Sequence, residues 1–172
     1  ATGELHIGKA VASGETINNL LLNTEIDFKV KNLAMAIAAT KLCGLKDSEI
    51  YKSIKKVEDV NGRLEFIRRF PNNIKVFIDY AHTPDALLKT LQSLEKKYGK
   101  NISLVFGCGG ERDKKKRPLM AQIANSLSRK IYITDDNPRN EDPKQIRAEL
   151  VKKIDKNKCF NIGNRTEAIK KS

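Results

Sequence analysis

The run Asp135-Asp136-Asn137-Pro138-Arg139 follows a short apolar stretch, Ile131-Tyr132-Ile133-Thr134, and sets a carboxylate, an amide and a guanidinium on one turn. In an open α/β sheet, ligands bind at the loops beyond the carboxyl ends of the strands. This cluster suits a small ligand with both an ammonium and a carboxylate. Asp136 accepts from the ammonium, and Arg139 grips the carboxylate through two parallel hydrogen bonds that a lysine cannot copy. A plain capped turn uses the same letters, because Asn-Pro pairs start turns. The rest of the chain has to decide between the two readings.

Two more polar clusters follow apolar runs. Asp79-Tyr80-Ala81-His82 comes after Ile74 to Ile78, and Gly107-Cys108-Gly109-Gly110 comes after Ile102 to Phe106. The glycine loop fits neither common phosphate motif. A dinucleotide fingerprint needs a third glycine where Arg112 stands, and a P-loop needs a Gly-Lys-Ser/Thr triplet that the chain lacks. Its continuation, Glu111-Arg112-Asp113-Lys114-Lys115-Lys116-Arg117-Pro118, is charged. Glycines allow close backbone approach, so Arg112 is well placed to meet a carboxylate. A solvated charge run before a helix is the competing reading. His82 has the chemistry of a general base, but a place beside a nucleotide, or simple capping, explains it better. His6 has no evident partner and no role is given to it. No catalytic residue and no metal ligand is assigned.

The elements needed to hold these clusters alternate. Ile74 to Tyr80, Ile102 to Phe106, Ile131 to Thr134 and Cys159 to Ile162 read as strands. Thr83 caps a helix that opens with Pro84 and carries Leu87, Leu88, Leu91 and Leu94 on one face to about Lys97. Pro118 to Leu127 is a second helix, Asp142-Pro143 opens a third to about Ile154, and Arg165 opens a fourth. Strands separated by helices imply a parallel α/β sheet covered on both faces. All three polar clusters then lie at strand ends. Residues 1 to 61 differ: Leu5–Ala12 and Thr16–Leu22 suggest a strand pair, Lys31–Cys43 an alanine-rich helix stopped by Gly44, and a further helix starts at Asp47 or Ser48. Asn61-Gly62 marks a boundary.

Composition narrows the classes. The 172 residues are 40% hydrophobic and 31% charged, which is ordinary for a globular chain. No apolar run reaches the ~18 residues that span a bilayer, and the first ten residues do not resemble a signal peptide. Three scattered cysteines give neither a metal spacing nor a disulfide framework, which favours a reducing, cytoplasmic setting. The net charge of +12 comes mostly from dispersed lysines with few aromatics between them, so it reads as a solvated surface rather than a nucleic-acid platform.

Taken together, Asp79-Tyr80-Ala81-His82-Thr83-Pro84-Asp85-Ala86-Leu87, Val105-Phe106-Gly107-Cys108-Gly109-Gly110, Arg112-Asp113, Lys116-Arg117-Pro118-Leu119-Met120 and Asp135 to Arg139 closely resemble the Mur ligases. The match is to the branch that adds the third amino acid of the peptidoglycan precursor, and the Asp-Asn-Pro-Arg turn points to addition of meso-diaminopimelate. The resemblance runs from about Lys29 to the end of the chain. It implies a Rossmann-like, mostly parallel C-terminal domain over 62–172, short of its own C-terminus, preceded over 1–61 by the tail of an α/β central ATPase domain. It implies a cytoplasmic enzyme using ATP, Mg2+, UDP-MurNAc-L-Ala-D-Glu and diaminopimelate, with no nucleic-acid or membrane partner. By position, Arg112, Asp136, Asn137, Pro138 and Arg139 match the amino-acid pocket, and Asn32, Arg63, Asp79 and His82 match the nucleotide site. The family's acyl phosphate is attacked by the incoming amino group. Lys29 stands where the family has asparagine, Glu111 replaces an aspartate, and Lys115 replaces a glycine. The family's P-loop and its magnesium-supporting lysine lie upstream, and a closing glycine-lysine-glycine-histidine-glutamate motif lies downstream. The chain is therefore expected to be an inactive fragment by itself.

Two rivals remain open at this point. The first is a lysine-adding or related folate-type sister ligase, and a lysine-adding enzyme would have no use for Arg139 against a distal carboxylate. The second, a basic nucleic-acid-binding α/β module, would need its lysines on one face.

Overall fold

The computed structural model describes residues 27–172 except 55, 58 and 59, so the strand pair expected at 5–22 lies outside the described residues. The chain divides into two compact units, Ala1–Val60 and Asn61–Ser172.

In the first unit, helix α1 spans Asp27–Leu42 and helix α2 spans Asp47–Ile54. The expected start at Lys31 was late, because Phe28, Lys29 and Val30 continue the helix. Gly44 stops it with φ +86° and an amide donating to Lys41 O at 2.9 Å. Ile50 and Ile54, four residues apart, are the buried stripe of α2.

The second unit opens with a hairpin. Strands β1 (Glu65–Arg69) and β2 (Lys75–Ile78) pair antiparallel, with Phe66 opposite Phe77. This corrects the expectation that Ile74 to Tyr80 would be the first strand of the parallel sheet. The turn Pro71–Asn73, with Asn72 and Asn73 at φ +61° and +62°, sends the chain straight back. Asparagine tolerates that left-handed conformation. Strand β1 escaped the sequence reading because Glu65-Phe66-Ile67-Arg68-Arg69 neither alternates nor holds a β-branched run. Helix α3 (Pro84–Tyr98) follows, capped as expected by Thr83, whose Oγ1 accepts from Ala86 N–H at 3.3 Å.

The parallel sheet is three-stranded, in the order β3 (Ser103–Phe106), β4 (Lys130–Ile133), β5 (Cys159–Asn161), with Phe106 level with Ile133 and Ile133 with Asn161. Helices α4 (Lys116–Leu127), α5 (Pro143–Val151) and α6 (Arg165–Lys171) complete the unit. Leu87 and Leu91 of α3, Met120, Ala121 and Ala124 of α4, and Ile146 and Leu150 of α5 form the core with Ile131 and Ile133 on one sheet face. Tyr132 faces the other way, its ring stacked on Phe160 at 4.7 Å; α6 packs on β4. Two helices differ from expectation at their ends. α4 begins at Lys116 rather than Pro118, and α5 stops at Val151 rather than near Ile154.

Candidate functional site

Four loops leave the carboxyl ends of β2, β3, β4 and β5, and hydrogen bonds to backbone carbonyls tie them in sequence. Lys116, at the start of α4, donates through Nζ to His82 O at 2.9 Å, linking the first loop to the second. Gly110 N–H donates to Asn137 O at 2.9 Å, linking the second to the third. Asp135 N–H and Thr134 Oγ1 both donate to Gly163 O, at 3.0 and 2.9 Å, linking the third to the fourth.

The glycines of the second loop serve this contact rather than a phosphate. A β-carbon on Gly107 would overlap Thr134 O, and one on Gly110 would lie 2.7 Å from the Pro138 carbonyl carbon. Neither residue has positive φ, so closeness of two chain segments is what demands glycine here.

The turn 135–139 is folded on itself. Asp136 Oδ1 accepts from Asn137 N–H at 2.9 Å, and Asn137 Oδ1 accepts from Arg139 N–H at 3.2 Å. Arg139 sits at φ +51° and its Nη1 donates to Gly110 O at 2.6 Å. Its Nε and Nη2 take no partner among the described residues. Asp136 is exposed, with Arg165 Nη2 3.9 Å from Oδ1. Pro138 is half-buried and its carbonyl accepts from Glu141 N–H at 3.0 Å. Arg112 lies exposed on the adjoining loop. The structure thus brings Asp136, Asn137, Pro138 and Arg139 onto one turn, with the loop that carries Arg112 packed against it.

The first residue of the motif, Asp135, is engaged otherwise. It pairs with Arg147 Nη1, while Arg147 Nε donates to Asn161 Oδ1 at 2.8 Å. That pair joins the ends of β4 and β5 to α5.

The other expected residues gather at the end of β2, apart from Asn32, which is exposed on α1 in the first unit. The Arg63 guanidinium lies 5.0 Å over the Tyr80 ring, and the His82 ring is 5.0 Å from the same ring. His82 Nδ1 is 3.1 Å from Tyr80 O, so Nδ1 carries the proton and Nε2 is left as the acceptor when the ring is neutral. Asp79 has both oxygens occupied: Oδ1 accepts from Ala81 N–H at 2.7 Å and Oδ2 from Thr90 Oγ1 at 3.2 Å. Tyr80, 63% exposed between Arg63 and His82, was not singled out from the sequence. Its place beside a strand end was the available signal.

Sequence reasoning also missed Arg117. It is 1% exposed, in the first turn of α4. Nη1 and Nη2 reach the Glu141 carboxylate at 2.9 to 3.0 Å, Nη1 reaches Glu149 Oε2 at 3.0 Å, and Nη2 reaches Gly109 O at 3.3 Å. Glu141 also accepts from Glu111 N–H at 2.5 Å and pairs with Lys114 at 3.2 Å. Hydrogen bonds from Arg117, then that from the Glu111 amide, hold the Glu141 carboxyl down at about 2. The same bonds to Glu141 raise Arg117 above its ordinary value. In the sequence Arg117 ends the charged run 111–117, for which a solvated surface is the competing reading, and it carries no site assignment. Its spacing from Met120, Ala121 and Ala124 is three, four and seven, which puts it on the core face.

The model of the family described as "Mur ligase, glutamate ligase domain" matches residues 62–172. The chain belongs to the Mur ligase family. A protein of Rickettsia montanensis named UDP-N-acetylmuramoyl-L-alanyl-D-glutamate--2,6-diaminopimelate ligase is 43% identical over 98% of this chain and 37% of its own length. One of Rhizobium meliloti with the same name is 34% identical over 98% of this chain and 33% of its own. The chain therefore spans about a third of the length of these relatives. A solved structure of a ligase of that name superposes with a TM-score of 0.58 at 39% identity, covering 83% of this chain and 29% of the other. A Mycobacterium tuberculosis folylpolyglutamate synthase complexed with ADP reaches a TM-score of 0.69 at 21% identity, over 83% and 32%, which is a likeness of fold.

Proposed function

We propose that this Mur ligase chain supplies the amino-acid-binding part of a cytoplasmic enzyme that joins meso-diaminopimelate to UDP-MurNAc-L-Ala-D-Glu. The observation that carries the reading is the turn Asp136–Arg139 held against the glycine loop, with two guanidinium nitrogens of Arg139 taking no partner among the described residues. The identity to relatives named as diaminopimelate ligases supports it.

In this reading Arg139 holds the distal carboxylate of diaminopimelate, with Arg112 on the facing loop as a second cation. Asp136 accepts from an ammonium, and Asn137 and Pro138 shape the turn. The attacking amine is the nucleophile toward the activated carboxyl, and the site's task is to present it in line, which alone lowers a barrier substantially. Residues 62–172 form the amino-acid domain, and 1–61 the end of the ATP-binding domain. Arg63, Asp79 and His82 contribute nucleotide contacts from the second unit, and Asn32 is given a nucleotide contact of its own in the first. Asp79 would act there through the loop it ties, since its oxygens are already engaged.

Mur ligases depend on ATP and generally need Mg2+. The described residues do not fit the phosphates or the metal. The Gly110 and Glu111 amides are spent on Asn137 and Glu141, and no group of three His, Cys, Asp or Glu among the described residues could hold an ion. No phosphoryl step is assigned to them. The test is product formation by the protein expressed from its full reading frame, with ATP, Mg2+, the UDP-muramoyl dipeptide and either diaminopimelate or lysine. The reading requires the diaminopimelate adduct in clear preference; preference for lysine or for a folate would replace it.

A further inference from the structure

Arg117 is the largest fully buried side chain of the described residues. Burying a guanidinium is costly unless it is paired, and an apolar side chain of similar volume often stabilises a core as well or better. Arg117 even leaves its own Nε without a partner among the described residues. Stability alone is thus a weak reason for a cation at this place. What the cation does achieve is a connection that no apolar side chain could make. It touches three separate segments: the glycine loop at Gly109 O, the stretch after the Asp-Asn-Pro-Arg turn at Glu141, and helix α5 at Glu149.

Glu141 is the junction. Its carboxylate takes both terminal nitrogens of Arg117, the Glu111 amide and the Lys114 ammonium, so one side chain gathers the segment that leaves the glycine loop and the start of α4 onto the stretch that follows Arg139. Two residues earlier, Arg139 is itself bound to Gly110 O. The left-handed backbone of Arg139, at φ +51°, is strained for a residue with a β-carbon and persists only where its surroundings enforce it. Arg117 and Glu141 are the buried anchor of those surroundings.

We propose that Arg117 is the positioning residue of the amino-acid pocket, acting through Glu141 to hold the Arg139 turn in register with the glycine loop. The proposal rests on the reading of the pocket given above. A guanidinium recognises a carboxylate only within narrow limits of distance and angle. Loosening the anchor should therefore weaken use of the amino acid and spare use of ATP.

The experiment uses the full-reading-frame protein with Arg117→Lys, Glu141→Gln and Glu149→Gln. KM for diaminopimelate, KM for ATP and kcat are measured, with hydrogen exchange at the Gly110 and Glu111 amides. Arg117→Lys and Glu141→Gln are expected to raise KM for diaminopimelate by about tenfold or more, the scale of one hydrogen bond to a charged group. KM for ATP stays within about twofold while exchange at both amides accelerates. Glu149→Gln removes a partner that lies on α5 and not on the turn, so the two KM values keep their ratio. Variants that lose thermal stability without changing that ratio would overturn the proposal, as would all three changing both KM values alike. If wild type forms no diaminopimelate adduct, the functional reading fails instead. Exchange then decides the clamp alone, and unchanged protection in Glu141→Gln overturns it.

Discussion

Gly110 lies so close beneath Pro138 that a β-carbon on it would sit 2.7 Å from the Pro138 carbonyl carbon and nearer still to its oxygen. The loop after β3 and the turn after β4 are therefore one structural piece. Gly110→Ala must push the two apart and break the Gly110 to Asn137 hydrogen bond. Overpacking of this kind typically costs about 1–3 kcal/mol, and urea unfolding should record a loss in that range. Gly109→Ala should cost less. Its nearest neighbour would be the movable end of Arg139 at 3.0 Å, with Asn137 O at 3.3 Å. Equal losses for both alanines would mean that the close approach is not what requires glycine.

Arg139 offers a test of the proposed ligand. Arg139→Ala, in the full-reading-frame protein, removes the group assigned to the distal carboxylate. Hydrogen bonds to charged groups contribute about 1.5–3 kcal/mol each, so kcat/KM for diaminopimelate should fall on the order of tenfold to a few hundredfold. The ratio of kcat/KM for diaminopimelate to that for lysine should fall with it, because lysine lacks the rewarded carboxylate. KM for ATP should hold steady. A ratio unchanged in a folded variant would leave Arg139 as a lock on Gly110 and nothing more.

Much of this arrangement was legible in the sequence, and the reasons are local. Thr83-Pro84 and Asp142-Pro143 announce helix starts because capping is short-range chemistry, and both side chains do accept from the first-turn amides. The Asp-Asn-Pro-Arg turn was readable for the same reason. What escaped depends on distant partners. Nothing local in the charged run 111–117 marks Arg117 as buried, because Glu141 and Glu149, which neutralise it, are 24 and 32 residues away. Strand β1 has no pattern of its own and exists because β2 pairs with it. Leu88 and Leu94 were placed with Leu87 and Leu91 on one apolar face, yet Thr90 is buried and both outer leucines are only half-buried. The hydroxyl of Thr90 is accommodated by Asp79, again a partner that periodicity does not reveal.

The Glu141 carboxyl should leave a signature in stability against pH. Its folded value is about 2, below the ordinary 4.5. Above about 4.5 both folded and unfolded chains hold it ionised and its contribution is complete. As pH falls from there toward 2, the unfolded chain takes up the proton first, so stability declines and the contribution is gone below about 2. Urea midpoints of wild type and Glu141→Gln should thus differ most above pH 4.5 and converge as the pH drops toward 2. A gap that stays constant through that window would show that ionised Glu141 is not what binds Arg117.

The three cysteines should react in an order set by burial. Cys43 is exposed, Cys159 is partly covered and Cys108 is 4% exposed with its Sγ 3.9 Å from Met120 Sδ. Burial pushes the thiols of Cys108 and Cys159 up from their ordinary value, and for Cys108 the nearby Lys116 and Arg117 offset this only in part. The thiolate is the nucleophile, so a raised value slows reaction beyond what shielding alone does. Native protein treated with an aromatic disulfide reagent at pH 8 should release one equivalent promptly, mapped to Cys43. A slower second equivalent should map to Cys159, and the third should require denaturant. Prompt labelling of Cys108 in native buffer would mean that the glycine loop opens readily from the Arg139 turn, against the tight register described for the pair.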